Sequence, residues 1–157
     1  MLFRSAGASE EALTDIDFSV EKGQTIGIIG GTGSGKSSLV NLIPRFYDVS
    51  NGTVRVQGHD VKEYPVDVLR DKIGVVMQKA VLFQGTIAEN LKWGKTDATE
   101  EEMWKALEIA QAMDVVKGKE GGLSYELEQG GKNLSGGQKQ RLTIARAVVK
   151  EIGRAHV

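Results

Sequence analysis

Polar and apolar residues alternate along Thr14-Asp15-Ile16-Asp17-Phe18-Ser19-Val20, and a period of two predicts a strand with one buried face. Glu21-Lys22-Gly23 reads as a tight turn. Gln24 to Ile29 is a short, nearly continuous β-branched run ending in glycines, the pattern of a strand buried on both faces. Ser34 to Phe46 has helical spacing, with Leu39, Leu42, Ile43 and Phe46 on one side, and Pro44 should stop or bend its last turn. Asn51-Gly52 signals a turn before a strand from Thr53 to Gln57, with Gly58-His59-Asp60 as a loop. Ile73 to Met77 predicts another short buried strand, with Gln78 at its carboxyl end. Thr86 and Glu89 match a capping box, so a helix should start there. Glu100 to Val116 reads as one amphipathic helix through Met103, Trp104, Leu107, Ala110 and Met113. Ser135-Gly136-Gly137 opens a last helix carrying Leu142, Ala145, Val148 and Val149. Strand-then-helix units beside an antiparallel portion predict a single α/β domain.

Composition narrows the chemistry. The 157 residues hold 20 Lys and Arg against 21 Asp and Glu, for a net charge of −1. That balance supplies no basic field for nucleic acid or an anionic membrane. The longest apolar runs, such as Ile26-Gly27-Ile28-Ile29, fall far short of the about 20 residues a spanning helix needs. Absence of cysteine excludes disulfides, thiolate metal sites and cysteine nucleophiles, and fits a reducing compartment. The 20 glycines gather mostly in clusters, which points to special turns or close approach of backbone to a ligand.

The two ends look foreign. Leu2-Phe3-Arg4-Ser5 can be encoded by CTC-TTC-CGA-TCT, and the reverse complement of that string, in another frame, encodes Ile152-Gly153-Arg154. It also resembles a common sequencing adapter, whose continuation supplies Ala155-His156-Val157. Residues 1–5 and 151–157 are therefore expected to be an adapter scar around a natural segment of about 6–150.

Gly30-Gly31-Thr32-Gly33-Ser34-Gly35-Lys36-Ser37 fits G-x-x-x-x-G-K-[ST] and lies between an expected buried strand and an expected helix. Glycines let successive N–H groups turn inward around a phosphate, the helix start adds positive dipole, and Lys36 supplies a mobile ammonium. The hydroxyl of Ser37 is placed to ligate Mg²⁺, and Ser38 follows in the same helical turn. A dinucleotide-binding turn is excluded because its G-x-G-x-x-G spacing is not met. Farther along stands Leu134-Ser135-Gly136-Gly137-Gln138. Alone, such a sequence is in many proteins only a helix cap.

Taken together with Gln78 between them, these two motifs resemble the nucleotide-binding domain of ATP-binding cassette (ABC) transporters, over nearly all of residues 9–150. The resemblance implies a P-loop NTPase core with an antiparallel β subdomain and a helical subdomain at about 86–135. It further implies that Gly30 to Ser38 bind ATP, that Ser37 and Gln78 serve Mg²⁺, and that Lys36 and Gln78 take part in hydrolysis. Ser135, Gly136, Gly137 and Gln138 would meet the γ-phosphate held by a second nucleotide-binding domain, in a homodimer or heterodimer. Leu82-Phe83-Gln84-Gly85-Thr86-Ile87-Ala88-Glu89-Asn90-Leu91 looks like the exporter branch. Such a parent sits at the cytoplasmic face of the membrane, with its transmembrane domain fused or separate.

The pattern also breaks. The family's aspartate-ending strand, its catalytic glutamate and its switch histidine have no counterpart, the last aspartate being Asp114. The domain is expected to be C-terminally incomplete, deficient in hydrolysis and poorly soluble, since the missing strand would leave sheet edges bare. A non-hydrolysing ATP-binding and dimerisation module, or an inactive fragment, is the alternative. Gln129 stands where the exporter pattern has a carboxylate, and the adenine-stacking tyrosine would fall near Ser5. Trp93 and Trp104 read as packing residues, Arg141 and Arg146 as braces of the last helix, Lys117-Gly118-Lys119 as a solvated turn, and neither His59 nor His156 as a general base.

Overall fold

The computed structural model describes residues 13–152. Ser5, His156 and nearly all of the two suspected scars lie outside the described residues. The chain divides into two compact units, one ending at Ile73 and one beginning at Gly74.

The first unit contains helix α1 (Lys36–Leu42), a hairpin of β1 (Arg55–Val56) and β2 (His59–Asp60), and helix α2 (Val66–Asp71). Its core gathers Leu13, Leu39, Leu42, Val49, Val54, Val61 and Leu69. The Arg70 guanidinium secures α2 to the turn after α1, donating to the carbonyls of Pro44 and Arg45 at 3.1 Å each and lying over the Phe46 ring. Ile43 and Phe46, expected on the buried side of α1, are exposed because the helix ends before them, at Leu42.

The hairpin corrects the expected loop at Gly58-His59-Asp60. Gln57 and Gly58 both take positive φ, 53° and 83°, the backbone of a two-residue type I′ turn. That turn pairs Arg55 with Asp60 and Val56 with His59. A glutamine in the first turn position concealed the signal, since Asn or Asp is the usual occupant.

The strands expected at 14–20, 24–29 and 73–77 run without ladder partners among the described residues. A strand exists through its hydrogen-bonded neighbour, whatever its own periodicity. Unpaired, these segments expose Phe18, Val20, Ile26, Ile28 and Met77, and Ile29 reaches 98% exposure. The turn between the first two is nonetheless formed, with Gln24 N–H donating to the Glu21 carbonyl at 3.1 Å.

The second unit is helical: α3 (Ile87–Lys92), α4 (Glu100–Ile109), α5 (Met113–Lys117) and α6 (Gly136–Ile152), with a small antiparallel pair of β3 (Gly85–Thr86) and β4 (Glu126–Leu127). Thr86 with Glu89 and Thr99 with Glu102 form complete capping boxes for α3 and α4. One core joins Leu82, Ile87, Leu91, Met103, Leu107, Val116, Leu142, Ala145 and Val149.

The single helix expected over Glu100 to Val116 is two. Gln111 adopts φ 54°, its N–H bonds the Glu108 carbonyl at 3.0 Å, and the Ala112 N–H bonds the Leu107 carbonyl at 2.8 Å. This is a Schellman closure with glutamine in the place glycine usually takes, so no breaker residue announced it.

Two contacts fix this unit. A Cβ on Gly94 would collide with the Arg146 carbonyl oxygen, so glycine alone admits α6 at this distance from the end of α3. The buried Asn90 amide accepts from the Phe83 N–H at 2.8 Å and donates to the carbonyls of Phe83 and Thr86 at 2.9 and 3.0 Å. Gly94→Ala is expected to destabilise the chain by about 1–3 kcal/mol through overpacking, read as a lower urea midpoint at unchanged slope. Asn90→Leu leaves buried backbone groups unpaired and should cost about 1–3 kcal/mol; an unchanged midpoint would contradict the buried role of the amide.

Candidate functional site

In the first unit, Gly30 to Gly35 fold as a loop that runs directly into Lys36, Ser37 and Ser38, the first turn of α1. Ser34 N–H closes a turn on the Gly31 carbonyl at 3.3 Å. Gly33 and Gly35 hold φ at 81° and 82°, a region that side-chain-bearing residues enter at a cost. A Cβ on Gly30 would lie 2.5 Å from Ser34 Oγ, so a side chain there would have to turn the serine hydroxyl aside. Gly35 is the N-cap of α1 and offers no side-chain acceptor. The first intrahelical bond is Leu39 N–H to the Gly35 carbonyl, at 2.9 Å. The N–H groups of Lys36, Ser37 and Ser38 therefore precede the first available helical acceptor.

Lys36 reaches back across this loop. Its Nζ donates to the Gly30 and Gly31 carbonyls at 2.6 Å each and to Ser34 Oγ at 3.1 Å. No acidic residue stands in the first turn of α1. Uncapped helix-start amides, a helix dipole and an ammonium thus share one loop, with no carboxylate in the first turn of the helix, which suits a phosphate anion. The exposed hydroxyl of Ser37 is an oxygen donor of the type Mg²⁺ accepts. A single hydroxyl fits an ion whose other ligands are phosphate oxygens and water. Among the described residues, no group of three or more His, Asp or Glu side chains could hold a metal by itself.

Gln78 belongs to the second unit, exposed in a bend after the extended segment 73–77. In the same unit Ser135 and Gln138 form a reciprocal cap on α6: Ser135 N–H donates to Gln138 Oε1 at 3.0 Å, and Gln138 N–H to Ser135 Oγ at 3.3 Å. The cap and the motif are one object. Gly136 and Gly137 have no positive φ, and a Cβ on either would meet nothing within 4 Å. Neither backbone strain nor internal packing accounts for these two exposed glycines, which leave the first turn of the helix uncovered by side chains.

Sequence reasoning missed Asn133. Its Oδ1 accepts from Glu128 N–H at 3.1 Å, while Nδ2 donates to the Glu126 carbonyl at 2.9 Å and to the Tyr125 hydroxyl at 3.3 Å. It secures the loop before Leu134 to Gln138, in which Gln129 is exposed. An asparagine two residues ahead of a helix cap was the available signal. Trp104 is half-buried against the core as expected. Trp93 is not: it is 69% exposed and stacks on Phe83 with centroids 4.7 Å apart. Arg141 and Arg146 bridge α6 to other segments, at the carbonyls of Gln111 and Val81. His59 lies 3.8 Å from Glu63, both exposed, beside a cavity of about 340 Å³ that none of the glycine-motif residues lines.

Comparison with known proteins gives the same picture. A multidrug export ATP-binding/permease protein of Staphylococcus aureus strain NCTC 8325 is 46% identical over 134 residues, covering 85% of this chain and 23% of its own length. The protein of that description from strain COL matches to the same extent. Among solved structures, a bacterial Atm1-family ABC exporter with ATP bound superposes with a TM-score of 0.89 at 35% identity, over 95% of this chain and 26% of that one. The chain therefore spans about a quarter of the length of these relatives. Its path follows the P-loop NTPase α/β fold even where strands lack ladder partners. The family model described as ABC transporter matches residues 13–153, and the chain belongs to the ABC transporter family.

Proposed function

We propose that this chain is the ATP-binding part of an exporter that couples ATP binding and hydrolysis to transmembrane export. The observation that carries the reading is the segment at 30–38, which brings together two left-handed glycines, an uncapped helix start and the Lys36 ammonium. In this reading the amides from Gly31 to Ser38 and the Lys36 ammonium hold the β- and γ-phosphates of ATP. Ser37 offers its hydroxyl to Mg²⁺. The metal would neutralise phosphate charge when bound. Gln78 orients water and metal through its side-chain amide. Ser135, with the amides of Gly136, Gly137 and Gln138, meets the γ-phosphate held by a second nucleotide-binding domain.

Names of the relatives support the export reading, since both are described as ATP-binding/permease proteins. No helix among the described residues is long and apolar enough to cross a membrane, so the permease role falls to a separate or fused transmembrane domain. The exposed Phe83 and Trp93 pair supplies an apolar surface for such a partner. In this reading the helical subdomain spans about 86–135, and the parent works at the cytoplasmic face of its membrane. With no catalytic glutamate in place, we infer that this chain binds ATP without appreciable turnover.

Titration with a fluorescent ATP analogue and Mg²⁺ tests the site. Lys36→Ala should weaken binding about tenfold or more, as loss of a charge-assisted contact to phosphate predicts. Equal affinity in the variant would remove Lys36 from the site. Phosphate release at ordinary ABC ATPase rates by the unsubstituted chain would refute the hydrolysis-deficient reading while leaving nucleotide binding intact.

A further inference from the structure

Arg146 lies on α6, the helix capped by Ser135, and both ends of the residue are engaged. Its carbonyl oxygen faces Gly94 so closely that no Cβ fits there. The guanidinium donates from Nη2 to the Val81 carbonyl at 3.0 Å and lies over the Phe83 ring, 5.9 Å from its centroid. Partial burial draws its pKa below the ordinary value through desolvation, yet a guanidinium stays charged at any working pH. The carbonyl and the ring face offset that desolvation.

The segment that Arg146 grips is the arm following Gln78. From the other side Asn90 of α3 holds the N–H and the carbonyl of Phe83. Side chains from α3 and α6 thus fix backbone groups at Val81 and Phe83, and the exposed bend at Gln78 and Lys79 begins immediately upstream. Phe83 also stacks on Trp93, with an interplanar angle of 28°, so the grip is coupled to an exposed indole.

We propose that Arg146 is a positioning residue that fastens the arm following Gln78 to the helix presenting Ser135, so that displacement of one carries to the other. The link is mechanical; its consequence for nucleotide chemistry rests on the function proposed above. Lysine cannot replace it fully, because an ammonium can reach the Val81 carbonyl but has no planar face to lay over Phe83.

The test uses the full chain carrying Trp104→Phe, which leaves Trp93 as its one indole. Arg146→Met should speed amide exchange at residues 79–84 about tenfold or more, as loss of a charge-assisted hydrogen bond predicts. Arg146→Lys should speed it less. Trp93 emission should shift in both, because Phe83 loses the guanidinium over its ring, while exchange at 103–107 in α4 stays unchanged. Unaltered exchange at 79–84 with unaltered emission would overturn the proposal. So would acceleration spread equally through α4, which marks general destabilisation. If the methionine variant does not fold, exchange and emission in the lysine variant decide between the same two outcomes. Mg-ATP should protect both 79–84 and 135–139 in the chain with Arg146, and 135–139 alone in Arg146→Met. Protection of both segments in the variant would overturn the coupling. No nucleotide effect on the unsubstituted chain would refute the nucleotide reading, and the ligand-free exchange would then decide the Arg146 link by itself.

Discussion

Every α-helix begins with amide donors that no earlier carbonyl in the helix can satisfy, and four helices of this chain answer that constraint in contrasting ways. At α3 and α4 a threonine and a glutamate close the start, each glutamate carboxylate accepting from the threonine N–H. These boxes place negative charge on the positive end of the helix, which stabilises it and makes it inhospitable to an anion. At α1 and α6 no acidic residue occupies the first turn. Gly35 leaves α1 without a side-chain cap, and the box on α6 is closed by Gln138, a neutral residue in the position glutamate holds elsewhere. Closing a helix with Gln keeps the geometry of the cap while preserving the positive potential in front of it. Gln rather than Glu at that third position thus leaves the start of α6 capped but free of negative charge, unlike the starts of α3 and α4.

The Thr86 box and the glycine loop were legible in the sequence because caps and glycine loops are local. Thr86, Thr99 and Ser135, with their partners three residues on, encode their own geometry within a single turn. The lysine of the glycine loop likewise bonds only to residues two to six positions before it. What could not be read was set by residues without a characteristic signature. Gln57 and Gln111 both adopt left-handed backbone where Asn or Gly would have advertised it, so the β1–β2 hairpin read as strand and loop and the α4–α5 break was invisible. Trp93 looked like a core residue by type. Its place directly after the end of α3 puts it beside Phe83 at the surface instead.

The expected strands fail for a different reason. Periodicity reports which faces of a segment suit burial, whereas a ladder requires a second segment in register. Residues 14–29 show the correct alternation and the correct turn at Glu21 to Gln24, yet most of their large apolar side chains stay exposed. The chain path agrees with a solved exporter at a TM-score of 0.89, although these segments have no sheet hydrogen bonds among the described residues. In the glycine loop, what holds the path is visible: the Lys36 ammonium ties the Gly30 and Gly31 carbonyls to the first turn of α1. An ammonium bound to two carbonyls is well placed but weakly committed, because phosphate oxygens carry more charge than amide oxygens and make stronger acceptors. The group that keeps the cradle in shape is therefore also the group most ready to exchange its partners for a phosphate.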